Sequence, residues 1–95
     1  MMIITDHNLI ENLFKQLFDQ VCNLFSVNEL NEVNEFFDVG EYGLALQTLI
    51  DIVVEEKKDI SEKACNLIEE LAILMKITDD INLESIRSQV DTVLK

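Results

Sequence analysis

The chain has 95 residues and a hydrophobic fraction of 48%, which is enough for one small domain with its own core. It contains no proline and only two glycines, a composition that argues against turn-rich β architecture and favours helices joined by polar connections. The formal charge is −12 at pH 7, which argues against nucleic acid or an anionic membrane as partner, because phosphates would repel this surface.

The first predicted helix runs from about Asp6 to Phe25, and its apolar residues recur at helical spacing to form one broad face. These residues are Leu9, Ile10, Leu13, Phe14, Leu17, Phe18, Val21 and Cys22. Ser26 predicts the next N-cap, because Glu29 three residues later completes the pattern of a capping box.

The second predicted helix ends at Gly40, where glycine forms a left-handed cap at low cost. Its inner face comprises Leu30, Val33, Phe36 and Phe37. The third predicted helix runs from near Glu41 to about Lys57, and we expect it to be central because apolar residues cover most of its circumference. These residues are Ala45, Leu46, Leu49, Ile50, Ile52, Val53 and Val54, and the remaining strip comprises Leu44, Gln47, Thr48, Asp51 and Glu55.

Asp59 or Ser61 is expected to cap a fourth helix that continues to about Lys76. Its inward residues are Ala64, Leu67, Ile68, Leu71, Ala72 and Met75. Asn82 predicts the N-cap of a last helix with the apolar residues Leu83, Ile86, Val90, Val93 and Leu94. The sequence therefore predicts an all-α fold, a compact bundle of four to five helices that forms a single domain over residues 1–95.

The compartment is predicted from the cysteines and from the apolar segments. No stretch approaches the ~18 consecutive apolar residues of a membrane span, and the first residues lack the basic region and the cleavage site of a signal peptide. Cys22 and Cys65 lie in apolar helical patterns, which favours two buried thiols, with one disulfide as the alternative. We therefore expect a cytoplasmic protein.

Acidic residues are concentrated in one part of the chain. Between Lys15 and Lys57 there is no lysine or arginine. The same interval holds nine acids, Asp19, Glu29, Glu32, Glu35, Asp38, Glu41, Asp51, Glu55 and Glu56. Helices in such a segment cannot form ion pairs between acidic and basic residues three or four positions apart, which stabilise helices with mixed charges. Two explanations remain open, a charge that only keeps the protein in solution and a docking surface for a basic partner.

The residues needed for catalysis are not clustered in this sequence. His7 is the one histidine and lies at the entrance to the first helix, where a general base is hard to hold in position. Zinc needs clustered cysteine and histidine, and Asp79-Asp80 lacks the spacing and the glycine of a calcium loop. No glycine-rich phosphate loop is present. We therefore expect no enzymatic activity, no metal and no cofactor.

Residues 34–61 contain the most specific motif of the chain. An acidic helix end precedes the run Gly-Glu-Tyr-Gly-Leu-Ala-Leu at residues 40–46, and an apolar helix and a short polar link lead to Ile60 and Ser61. This pattern, which covers less than a third of the chain, resembles the core signature of the MafI-type immunity proteins. Those small helical proteins protect a bacterium from polymorphic toxins, including the toxins of contact-dependent growth inhibition that CdiI-like proteins neutralise.

The resemblance implies a protein that binds the toxic domain of one cognate effector, one to one, and covers its active site or substrate surface. Many such toxins are nucleases, and some that are paired with this family resemble EndoU-type ribonucleases. Because a nuclease has a basic cleft, an acidic inhibitor could mimic phosphate charge there and gain association rate by electrostatic steering. Such an inhibitor can act as a monomer. The rival interpretation is a small helical adaptor or assembly protein with no toxin partner.

The residues expected to contact the partner face outward from the second and third helices. They are Glu32, Glu35, Asp38, Glu41, Leu44, Gln47, Asp51 and Glu55. For Leu44 two roles stay open, an interface anchor and a residue covered by the second helix. Tyr42, Ala45 and Leu46 are expected to anchor the third helix, whereas Gly40 and Gly43 are expected to serve the turn and close helix packing.

Overall fold

The computed structural model describes residues 7–90, which form five helices. They are α1 (His7–Val21), α2 (Val27–Asp38), α3 (Tyr42–Glu55), α4 (Glu62–Met75) and α5 (Leu83–Arg87). Helix α1 packs against α4, α2 packs against α3, and α3 also contacts α4 and α5. The prediction of an all-α bundle is confirmed.

Helix α3 lies at the centre of the core, as its composition predicts. Its buried residues are Ala45, Leu46, Leu49, Ile50, Ile52 and Val53. An aromatic cluster joins α3 to α1 and α2, because the ring of Phe14 lies 5.2 Å from that of Phe37 and 6.1 Å from that of Tyr42. Phe14 is fully buried, so this cluster fixes the first three helices relative to one another.

Local signals set both ends of α2. The Ser26 hydroxyl accepts a hydrogen bond from the Glu29 amide at 3.1 Å, and the Glu29 carboxylate accepts one from the Ser26 amide at 2.9 Å. This is the predicted capping box. At the other end Gly40 has φ +81°, and the Gly40 and Glu41 amides donate to the carbonyls of Phe37 and Phe36. These two bonds form a Schellman motif, which reverses the chain between α2 and α3.

We predict opposite effects of alanine at the two glycines. Gly40→Ala should lower the free energy of unfolding by about 1–2 kcal/mol, because a Cβ strains the left-handed conformation. Gly43 lies inside α3, and a Cβ there would meet no atom within 4 Å. The predicted role of Gly43 in close helix packing is therefore wrong, and Gly43→Ala should stabilise the protein by about 0.5 kcal/mol. Urea unfolding of both variants measures these changes in the free energy of unfolding. A change of the same sign in both variants would contradict the prediction.

Helix α1 ends at Val21, four residues before the predicted end, and its predicted start at Asp6 lies outside the described residues. The Leu24 amide donates to the carbonyl of Val21 at 2.8 Å, which closes a tight turn after the helix. Cys22 follows directly after the helix, its amide still donates to the carbonyl of Phe18 at 2.9 Å, and its side chain is exposed. Phe25 is still buried, because the loop itself folds onto the core.

Helices α3 and α4 end one or two residues before their predicted ends. Lys57 and Lys76 have φ values of +54° and +59°, so each lysine takes the left-handed position that stops its helix. The N-cap of α4 is Ser61 rather than Asp59, and its hydroxyl accepts a hydrogen bond from the Ala64 amide at 3.0 Å. The inward residues predicted for α4 are buried apart from the half-buried Met75.

The last predicted helix is much shorter than its apolar pattern indicates. Asn82 caps it as predicted and Ile86 is buried, but α5 ends at Arg87. Val90 instead forms an isolated parallel β-bridge with Ile60, whose amide donates to the carbonyl of Gln89 at 3.0 Å. Predicted residues Val93 and Leu94 lie outside the described part of the chain.

Candidate functional site

The eight residues predicted to contact a partner all lie on described parts of α2, α3 and the turn between them. Seven are exposed and one, Gln47, is half-buried. The exposed residues are Glu32, Glu35, Asp38, Glu41, Leu44, Asp51 and Glu55. These side chains are therefore available to a partner, and none of them is needed to fill the core.

Three of the four acids of α2, Glu32, Glu35 and Asp38, are exposed on its outer side. Val33 is the fully buried residue of this helix, and at 100° per residue Glu35 and Asp38 fall nearly opposite to it. Glu32 lies at the edge of this face. Asp38 is the last residue of α2, and the last turn of that helix contains no basic residue.

One of the nine acids has a structural role. The ammonium group of Lys58 lies 3.1 Å from the Glu29 carboxylate, donates to the carbonyl of Leu24 at 2.8 Å, and sits 5.3 Å from the centre of the Phe25 ring. Lys58 comes directly after Lys57, the residue that ends the interval without lysine or arginine. It ties the α1–α2 loop to the α3–α4 loop, so Glu29 belongs to the scaffold and not to the candidate interface.

The Glu29 contacts predict an acid-sensitive contribution to stability. The Ser26 amide and, after it, Lys58 lower the pKa of Glu29 below its ordinary value of 4.5. A carboxyl whose pKa is lower in the folded state stabilises that state above the unfolded pKa, and the contribution disappears as pH falls through the folded pKa. Glu29→Gln should therefore destabilise the protein at neutral pH and have less effect in acid. Urea unfolding at neutral pH and in acid measures this difference in the free energy of unfolding, and Glu32→Gln is the exposed control on the same helix. A Glu29→Gln effect that does not change with pH would contradict it.

Helix α3 and the connection before α5 enclose a groove of about 320 Å³. Two of the predicted residues, Gln47 and Asp51, line its α3 wall. The full lining comprises Gln47, Ile50, Asp51, Val54, Asp80, Ile81, Asn82 and Ser85. Two of these residues are acids and none is basic. Asn82 is the predicted N-cap of α5, and Asp80 lies two residues before it. No sequence signal except the acidity of this connection indicates that Asp80 lines a groove with α3.

Glu41 lies at the other end of α3, about 15 Å along the helix axis from Asp51. It lines a second cavity of about 320 Å³ formed with the first residues of α3, Ile10 of α1 and the end of α4. Lys76 also lines this cavity, so its charge is mixed. The structure therefore separates Glu41 from the groove that contains Gln47 and Asp51.

Two motif residues have clear positions. Leu44 is 44% exposed, so α2 does not cover it, and Val39 in the preceding turn is also exposed. Tyr42 is half-buried, and its hydroxyl donates to a carboxylate oxygen of Glu11 at 2.6 Å, which raises the pKa of the tyrosine. With its ring against Phe14 and Phe37, Tyr42 joins three helices, as expected of a residue that anchors α3.

The two cysteines form no disulfide with each other. Cys22 and Cys65 are both free, and only Cys65 is buried, so the expectation of two buried thiols is wrong for Cys22. Burial raises the pKa of the Cys65 thiol. Within the same residues no three His, Cys, Asp or Glu side chains are grouped to hold a metal ion. Among the described helices none combines the length and the apolarity that crossing a bilayer requires.

Comparisons with known proteins return no match for this chain among protein-family models, curated proteins or solved structures.

Proposed function

We propose that this protein is an immunity protein that binds a toxin domain one to one and neutralises it in the cytoplasm of the producing cell. The observation that carries the proposal is the exposed acidic surface of α2 and α3. Of the nine acids between Lys15 and Lys57, eight lie on α2, on α3 or in the turns that follow these helices, and one of the eight, Glu29, pairs with Lys58. The other seven form this surface: Glu32, Glu35, Asp38, Glu41, Asp51, Glu55 and Glu56. The motif at residues 40–46, with its resemblance to MafI-type immunity proteins, directs the proposal to a toxin.

The positions of three acids support a role outside folding. Asp38 ends α2, Glu55 ends α3 and Glu56 caps the C-terminus of α3. The C-terminal end of a helix carries partial negative charge, so an acid there costs about 0.3–1 kcal/mol where a base would stabilise. A surface selected only for stability would place these charges at the opposite helix ends. Binding to a basic partner gives a reason to keep them.

The proposed partner is a basic domain, and a nuclease fits best. A nuclease cleft concentrates lysine and arginine to hold phosphates, and rows of exposed carboxylates can occupy the same positions. EndoU-type ribonucleases are the class that the resemblance names. In this mechanism the protein contributes charge and shape only, acts as a stoichiometric inhibitor, and needs no cofactor or catalytic residue of its own.

The helix-end acids give a prediction in which stability and binding change in opposite directions. Asp38→Asn with Glu55→Gln should raise the free energy of unfolding by about 0.3 kcal/mol per site, because the unfavourable charge at each helix end is removed. The same variant should associate more slowly with the toxin domain. Thermal unfolding and stopped-flow binding measure the two effects. Glu70→Gln, an exposed acid inside α4, is the control, and a stabilised variant with unchanged association would contradict the functional role of these acids.

A growth-protection assay tests the function. The toxin domain encoded beside this gene would be induced in a sensitive host with and without the protein, and the pair would be purified together. Restored growth with a one-to-one complex is the expected result. If both proteins fold but neither rescue nor complex is observed, the immunity function is refuted. Concentration-dependent self-assembly without rescue would point to the adaptor interpretation.

A further inference from the structure

The groove between α3 and the α4–α5 connection is a concave part of the acidic surface, and unlike the cavity at Glu41 it contains no basic side chain. Its lining includes the apolar side chains of Ile50, Val54 and Ile81, and the acids Asp51 and Asp80 lie on opposite walls. Ile50 is almost fully buried, whereas both acids are exposed. An apolar floor below a negatively charged rim is complementary to a long side chain with a positively charged end.

We infer that this groove is the docking site for one arginine side chain of the basic partner. The apolar floor would cover the methylene groups, and the carboxylates of Asp51 and Asp80 would accept hydrogen bonds from the guanidinium group, which has five donors in a planar fork. Gln47 adds a further acceptor on the α3 wall. A volume of about 320 Å³ is sufficient for one arginine side chain. The inference rests on the proposed function for the identity of the partner as a basic protein.

The charge of the groove lining and the order of its walls are both suited to an arginine side chain. Its lining contains two carboxylates and no basic side chain, so a cation entering it meets no local repulsion. Asn82 is held in place because its side-chain oxygen accepts a hydrogen bond from the Ser85 amide at 3.0 Å. The amide of Asp80 donates to the carbonyl of Ile77 at 2.9 Å, which fixes the turn that carries this acid. An arginine would therefore enter walls that are already ordered by backbone contacts.

The first test uses Nα-acetyl-arginine amide and its neutral analogue Nα-acetyl-citrulline amide as probes in NMR titrations of the whole protein. Arginine, but not citrulline, should shift the amide signals of Asp51, Asp80 and Asn82. Asp80→Asn should weaken arginine binding by about fivefold, whereas the control Asp79→Asn, one residue away and outside the groove lining, should change it less than twofold. Equal effects of the two variants, or shifts elsewhere on the surface, would overturn the inference.

The same two variants separate the groove from the proposed function. In the toxin complex Asp80→Asn should raise Kd by about tenfold and Asp79→Asn should leave it nearly unchanged. If wild-type protein protects cells and Asp80→Asn binds the toxin as tightly as wild type, the groove inference fails and the immunity function stands. If arginine binds the groove but wild-type protein gives no protection, the function fails and the groove site stands. Unchanged amide signals far from the groove verify the fold of each variant.

Discussion

Replacing Glu35 and Asp51 together with lysine is expected to slow association with the toxin domain by about tenfold at low salt, because electrostatic steering depends on the summed charge of the docking surface. Each reversal adds two positive charges, so the net charge changes from −12 to −8. Both residues are exposed on separate helices, so the folded structure should tolerate the changes. Stopped-flow measurement over a range of salt concentrations reports the rate, and the salt dependence of the variant should be weaker than that of the wild type.

The matched control is the pair Asp59→Lys and Glu70→Lys, which gives the same net charge through exposed acids outside α2 and α3. If steering acts through the α2–α3 surface, this control should lose much less association rate. Equal losses in the two double variants would show that only total charge matters. An unchanged rate in Glu35→Lys with Asp51→Lys would contradict the acidic-surface model itself.

The largest effect on stability is expected for Phe14→Ala, with a loss of about 3–5 kcal/mol in the free energy of unfolding. Phe14 is fully buried, and its ring lies within 6.1 Å of the ring centres of Phe18, Phe37 and Tyr42. The substitution would leave a cavity where α1, α2 and α3 meet. Because small domains are stable by only about 5–15 kcal/mol, this variant should unfold at far lower urea concentration and protect cells poorly.

Ile73→Ala serves as the control for Phe14→Ala. Ile73 lies on α4 and is 64% exposed, so its truncation should change the free energy of unfolding by no more than about 0.5 kcal/mol. Similar losses in the two variants would show that the aromatic cluster does not hold the first three helices together.

Much of the fold follows from local sequence signals. The capping box at Ser26, the left-handed turn at Gly40 and the N-cap at Asn82 each depend on residues within one helical turn, and the structure confirms all three. The wrong end of the last helix depends on a distant contact. Val90 leaves the helical pattern because it pairs with Ile60, thirty residues earlier in the chain.

In the candidate site, too, the features set by local sequence could be predicted and those set by packing between distant segments could not. Exposure of Glu35, Asp38 and Asp51 follows from helical periodicity, and the structure confirms it. The presence of Asp80 in the same groove as Asp51 depends on how the α4–α5 connection packs on α3, and no local pattern in the sequence encodes that packing. The ion pair between Glu29 and Lys58 could not be predicted from the charge pattern either, because Lys58 lies just outside the interval from Lys15 to Lys57 that contains no other base.

The most direct test of the central claim is a titration of the purified toxin domain with the purified protein, in which the nuclease activity of the toxin is measured at each ratio. The proposed function predicts that activity falls linearly and is lost at one equivalent of protein. Full nuclease activity at a large excess of folded protein would contradict the claim that this protein neutralises the toxin by binding to it.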